Sequence, residues 1–271
     1  MIVVKSRNPT LAHVIPQDRG AVVAVASLGD EVFVVRHHVQ QQIEVYDAVT
    51  FALQHIAVPG LGVRSYGLAA CPSNRCRYAS YLDNDSIHRV ELSGSNAAKK
   101  WEVAGEPTGL SVNKAHNLVV ACCEANILQE YTTHGSLVRE IPVQATGLDP
   151  WHAVQLSNGD YAVSHFTSPG VVSVVGVNGQ VVSSYRQTSD GRQMKCPRGL
   201  AVTKNDDILV ADSYNNRILL IQRSTGCVQD LDLPVDGGIQ SPWSLCLDES
   251  QARLYVGEYR RRVLVFNGVA I

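Results

Sequence analysis

Pro197-Arg198-Gly199-Leu200-Ala201-Val202 is followed, after a polar gap, by Ile208-Leu209-Val210-Ala211-Asp212. The turn Ser213-Tyr214-Asn215-Asn216 and the run Arg217-Ile218-Leu219-Leu220-Ile221 then complete one phrase. Its apolar runs are short, rich in Val, Ile and Leu, and broken by Gly, Asn and Asp, so they read as successive β-strands joined by tight turns. The phrase recurs. Pro107, Pro150 and Pro242 open matching stretches: Pro-Thr-Gly-Leu-Ser-Val, Pro-Trp-His-Ala-Val and Pro-Trp-Ser-Leu-Cys-Leu. Ser65-Tyr66-Gly67-Leu68-Ala69 fits one period earlier. Second runs follow each opening, as Leu118-Val119-Val120-Ala121, Tyr161-Ala162-Val163-Ser164 and Leu254-Tyr255-Val256-Gly257, and Val32-Phe33-Val34-Val35 supplies the earliest copy.

The period is ~45 residues, with three or four strands in each unit, and six units fill the chain. That spacing predicts an all-β, six-bladed β-propeller occupying residues 1–271 as a single domain. Each blade has two apolar faces, which only the neighbouring blades can hide from water. The last unit has room for three strands, and the first inner strand starts near Ala21. Ile2-Val3-Val4 is an orphan apolar segment ahead of it. Pairing this N-terminal strand with the last blade would close the ring and remove an open edge. Deleting residues 1–5 is then expected to lower the melting temperature.

Composition narrows the function. The 271 residues are 45% hydrophobic and 18% charged, which suits a packed core and argues against disorder. Lys and Arg total 23 against 25 for Asp and Glu, a net charge of -2, so the chain is no uniformly basic nucleic-acid binder, although a local basic patch fits. No apolar run approaches the ~18 residues of a membrane span. No charged-then-apolar leader is visible at Met1. Seven cysteines, odd in number and irregularly spaced, suit reduced thiols. Together these predict a cytoplasmic protein with no membrane contact. Cys71 and Cys76 are two ligands where zinc takes four, and read as thiols in a loop.

The run from Ala211-Asp212 to Asn216-Arg217-Ile218, with its Pro197 opening, resembles an NHL repeat. Residues 241–266 form a second copy, with Glu258 and Arg262 in the acidic and basic places. The units opened by Pro107 and Pro150 keep the apolar frame but put Cys122 and His165 where the Asp belongs. No Trp-Asp dipeptide ends a strand, so WD repeats fit less well. Beside the resemblance, Asp212 ends one strand and Arg217 starts the next, close enough to pair across the turn as a blade staple. The chain also resembles the C-terminal propellers of TRIM-NHL proteins. That resemblance implies a monomeric, non-catalytic recognition module binding a partner protein or single-stranded RNA on one face, with any ubiquitin-transfer chemistry in other domains and no cofactor.

No nucleophile elbow, phosphate loop or His-Glu-x-x-His motif is present. The candidate contacts are aromatic and basic groups at blade entries and in the turns after second strands: Tyr66, Trp151, His152, Arg198, Tyr214, Trp243 and Arg260. Aromatics there would stack or anchor, and arginines would meet phosphate or carboxylate. A second reading is a metal-dependent lyase or hydrolase. His152, His165 and Asp212 would converge at the channel mouth, as in peptidyl-hydroxyglycine amidating lyases, which the chain resembles in outline. The inner-strand starts Gly67, Gly109, His152, Gly199 and Ser244 hold only one His, which departs from that pattern.

Overall fold

The computed structural model describes residues 9–16, 20–37, 42–57, 64–92, 98–143, 148–259 and 262–269. Six four-stranded antiparallel sheets account for all its strands. Blade 1 is β2 (Ala21–Ser27), β3 (Glu31–His37), β4 (Gln42–Asp47) and β5 (Leu53–Ala57). Blade 2 is β6 (Leu68–Cys71), β7 (Cys76–Tyr81), β8 (Ser86–Glu91) and β9 (Ala98–Glu102). Blade 3 is β10 (Pro107–Val112), β11 (Leu118–Cys122), β12 (Ile127–Tyr131) and β13 (Leu137–Pro142). Blade 4 is β14 (Pro150–Gln155), β15 (Tyr161–His165), β16 (Val171–Val175) and β17 (Val181–Tyr185). Blade 5 is β18 (Pro197–Val202), β19 (Ile208–Asp212), β20 (Arg217–Gln222) and β21 (Cys227–Asp230). Blade 6 is β22 (Pro242–Asp248), β23 (Arg253–Glu258) and β24 (Val263–Asn267), with β1 (Thr10–Ile15) as its outer strand.

The six-bladed propeller read from the repeats is therefore present. The closing strand differs in position. Ile2, Val3 and Val4 lie outside the described residues, and the place beside β24 is taken by β1, whose register runs from Thr10 opposite Asn267 to Ile15 opposite Val263. An outer strand is covered on one side only, so β1 needs little hydrophobicity: Ile15 is buried while Thr10, Leu11 and Ala12 are exposed. A search for apolar runs passes over such a segment.

Second strands sit between inner and third strands and between two neighbouring blades. That is why β11, β15 and β19 are buried at every residue and read as unbroken apolar runs rather than alternating ones. Each seam between blades holds its own core. Leu209, Ala211 and Ile218 of blade 5 pack on Leu254, Val256 and Phe266 of blade 6. At the closing seam, Val22, Val32 and Val34 of blade 1 meet Tyr255, Val263 and Val265 of blade 6, together with Ile15. Cys71 and Cys76 are not in a loop: they face each other across the β6–β7 hairpin, buried against Leu118 and Val120 of blade 3.

The inner strands crowd toward the axis. A Cβ at Gly109 would stand 2.5 Å from the Trp151 carbonyl oxygen and 2.6 Å from the His152 ring. Glycine at this place lets blade 4 approach its neighbour.

Candidate recognition face at the channel mouth

Equivalent positions in successive blades lie at one radius around the axis. The residues that open the inner strands therefore gather at one mouth of the central channel. Tyr66 precedes β6, Trp151 and Arg198 lie at the starts of β14 and β18, and Trp243 lies at the start of β22. The Tyr66 ring centroid is 5.6 Å from that of Trp151 and 6.3 Å from that of Trp243, and the two indoles are 6.0 Å apart, edge to face. Residues just beyond the second strands extend the cluster. Phe166 lies 5.2 Å from Trp151, Tyr214 stands edge-on to Phe166 at 6.4 Å, and Tyr259 stacks on Trp243 at 4.2 Å.

Arg198 lies inside this ring. Its guanidinium carbon is 3.1 Å from the Trp243 ring centroid, 4.0 Å from Phe166 and 4.5 Å from Trp151. The residue is only 3% exposed, and burial lowers its pKa to about 10 from the ordinary arginine value. Phe166 and Tyr214 are 37% and 60% exposed and form the outward part of the patch. Of the sequence-derived set, Tyr66, Trp151, Arg198, Tyr214 and Trp243 thus come together. Arg260 lies outside the described residues. Phe166 was missed, although it directly follows the end of a second strand and so belongs to the same rim.

His152 is not a rim contact. Its imidazole lies in the channel wall and straps three blades: the Leu200 N–H donates to Nδ1 at 3.0 Å, and Nε2 donates to the Leu110 carbonyl at 3.0 Å. Both ring nitrogens are used, which fixes the neutral Nε2–H tautomer, and burial holds the pKa below the ordinary value.

The metal reading does not survive the donor geometry. His165 is fully buried, Nδ1 donating to the Leu148 carbonyl at 3.2 Å and Nε2 accepting from the Ser173 hydroxyl at 2.7 Å. Asp212 is equally buried. One oxygen accepts the Lys195 N–H at 2.7 Å, and the other accepts from Arg217 Nε at 2.7 Å and Asn215 Nδ2 at 2.8 Å. His152, His165 and Asp212 therefore spend their donor atoms within the fold. Among the described residues no three His, Cys, Asp or Glu groups are placed to hold an ion together.

Asp212 and Arg217 instead form the blade staple anticipated from their spacing. Glu258 repeats it, accepting the Gln240 N–H at 2.6 Å and Arg262 Nε at 2.9 Å. In both cases the carboxylate ties the incoming loop to the start of the third strand. These two carboxylates and their arginines are thereby neutralised inside the protein.

His165 gives the fold a pH dependence of definite sign. Burial lowers its pKa to about 4, against about 6.5 in an unfolded chain. Below pH 6.5 the unfolded chain gains a proton that the folded one refuses, so stability falls between about pH 6.5 and about pH 4, by ~2 kcal/mol at pH 5. His165→Gln should flatten that decline. Urea denaturation at pH 7.5 and pH 5 checks it, and equal slopes in both proteins would remove His165 from the account.

Below the aromatic cluster runs a cavity of about 530 Å³, walled by the inner strands of all six blades. Ser27–Gly29, Pro72 and Asp248–Ser250 line its opposite end, where Ser27 Oγ donates to Asp248 at 3.1 Å across the closing seam. No described helix is long and apolar enough to cross a membrane.

Residues 194–219 match the NHL repeat family. No curated protein matches the chain. Among solved structures, Kuenenia stuttgartiensis hydrazine synthase is similar at 14% identity and a TM-score of 0.66, over 93% of this chain and 97% of that one. Virginiamycin B lyase from Staphylococcus aureus is similar at 9% identity and a TM-score of 0.68, over 96% and 99%. The WD40 β-propeller domain of Doa1 is similar at 13% identity and a TM-score of 0.64, over 96% and 97%. A synthase, a lyase and a WD40 domain share the architecture, so these likenesses speak to the fold alone.

Proposed function

We propose that this propeller is a recognition module that captures a segment of a partner protein on the aromatic mouth of its channel, with no catalysis of its own. The observation that carries this reading is the convergence of six aromatic side chains from four blades on one spot, with Phe166 and Tyr214 turned outward. Clustered aromatics beside an arginine are the usual composition of a binding hot spot. The electrostatics favour a protein ligand over single-stranded RNA. A nucleic-acid strand needs a row of free cations to track its phosphates. Here Arg217 and Arg262 are committed to Asp212 and Glu258, and Arg198 is enclosed.

Selection of peptides from a displayed random library against the purified chain tests the proposal. Tyr214→Ala and Phe166→Ala should each weaken the selected peptides at least tenfold, about 1.4 kcal/mol. Val182→Ser, on an exposed outer strand, should leave binding unchanged. Equal binding by all variants, or salt-sensitive binding of labelled oligonucleotides in place of peptides, would overturn the reading.

A further inference from the structure

The aromatic mouth contains stranded hydrogen-bond donors. Arg198 Nε and Nη1 and the indole Nε1 of Trp243 are buried and have no hydrogen-bond partner among the described residues. They are neighbours, since the guanidinium lies against the Trp243 ring. The second-strand carboxylates Asp212 and Glu258 are spent on Arg217, Arg262, Asn215 and loop amides. A buried cation with open N–H groups and no counter-charge is costly unless something else supplies the acceptor.

From this we infer that Arg198 and Trp243 form a receptor for a carboxylate carried next to an aromatic or apolar group. The inference rests on the reading of this face as a recognition site and names the chemistry it recognises. One guanidinium offers one positive charge and several N–H donors, which suits a monoanion accepting charge-assisted hydrogen bonds. A dianionic phosphate would meet a single cation where clusters normally serve it. The walls around the charge are Trp151, Phe166 and Trp243, and the outward neighbour is Tyr214, so the group attached to the carboxylate meets rings rather than water. Desolvation among these aromatic rings strengthens the charge interaction relative to one at the surface.

The test uses small probes on the intact chain. N-acetylphenylalanine should bind at least tenfold more tightly than N-acetylphenylalaninamide, followed by tryptophan fluorescence. N-acetyl-aspartyl-phenylalaninamide supplies the carboxylate from a side chain instead of a chain end. Preference for either acid over the plain amide supports the inference, and the better of the two identifies the source. In Arg198→Gln the acid-to-amide ratio should fall to about one. Because that variant removes a core cation–π contact, a second readout uses the unmutated protein: the Arg198 Nε–H resonance of arginine-labelled protein should move with the acid and not with the amide.

Equal affinity for acids and amide, or tighter binding of inorganic phosphate, would overturn the carboxylate assignment. Library peptides that bind equally as acids and amides would sink it while leaving the recognition face intact. Failure of every peptide to bind would sink both.

Discussion

A chain that starts at Gly20, lacking β1, will melt roughly 10–20 °C below one that starts at Pro9. β1 contributes a five-pair ladder to β24 and the fully buried Ile15 at the seam between blades 6 and 1. Burying such a side chain stabilises by about 1.5–3 kcal/mol, and each ladder hydrogen bond adds about 0.5–1.5 kcal/mol. The total of about 5 kcal/mol gives that shift for a domain of this size. Aggregation should accompany it. Without β1, Val263, Leu264, Val265 and Phe266, all buried in the intact ring, become an open apolar edge. Thermal melts by near-ultraviolet circular dichroism and size-exclusion profiles of the two truncations decide the matter. Melting points within about 2 °C would show that β1 is an appendage.

Asp212→Ala is expected to be the most damaging single substitution at the staple. The carboxylate is fully buried and serves a backbone amide, an arginine and an asparagine at once. Its removal leaves the Lys195 N–H without its acceptor and takes from Arg217 its buried partner, leaving the guanidinium Asp230 and the Gln193 carbonyl. Breaking such a buried pair costs about 3–5 kcal/mol, or roughly 6–20 °C in melting temperature. Arg217→Ala should cost less, because Asp212 keeps two of its three donors. The double variant should be less damaging than the sum, since both single changes remove the same bond. Chemical denaturation of all four proteins tests this cycle. A loss under about 1 kcal/mol for Asp212→Ala would reduce the staple to a surface pair.

Much of this architecture was readable from the residues. The recurring Pro197-type phrase reveals the blades because second strands, covered on both faces, cannot hide their apolar character. The rim members Tyr66, Trp151, Arg198 and Trp243 were readable for a related reason: register within a repeat fixes distance from the axis. What register leaves open is depth. Arg198 reads as a surface contact, yet its long side chain is enclosed by the rings of the two adjacent blades. His152 reads as a rim group or a ligand. A carbonyl of β10 and an amide of β18, both edge strands of their blades, capture its two nitrogens instead. The metal trio failed for the same cause, since a one-dimensional spacing cannot show which lone pairs the backbone has already claimed.

The pairing of β1 with β24 also sets an order of events during synthesis. β1 precedes the other strands of the propeller, and its partner β24 emerges from the ribosome only after five and a half blades have been made. Until then the nascent wheel has a gap at one seam, with Val22 and Val34 facing the place that blade 6 will fill. Such long-range closure is slow, because distant ends must meet before any contact rewards them. Chaperone dependence of the propeller should therefore end once blade 6 has emerged, when the latch engages.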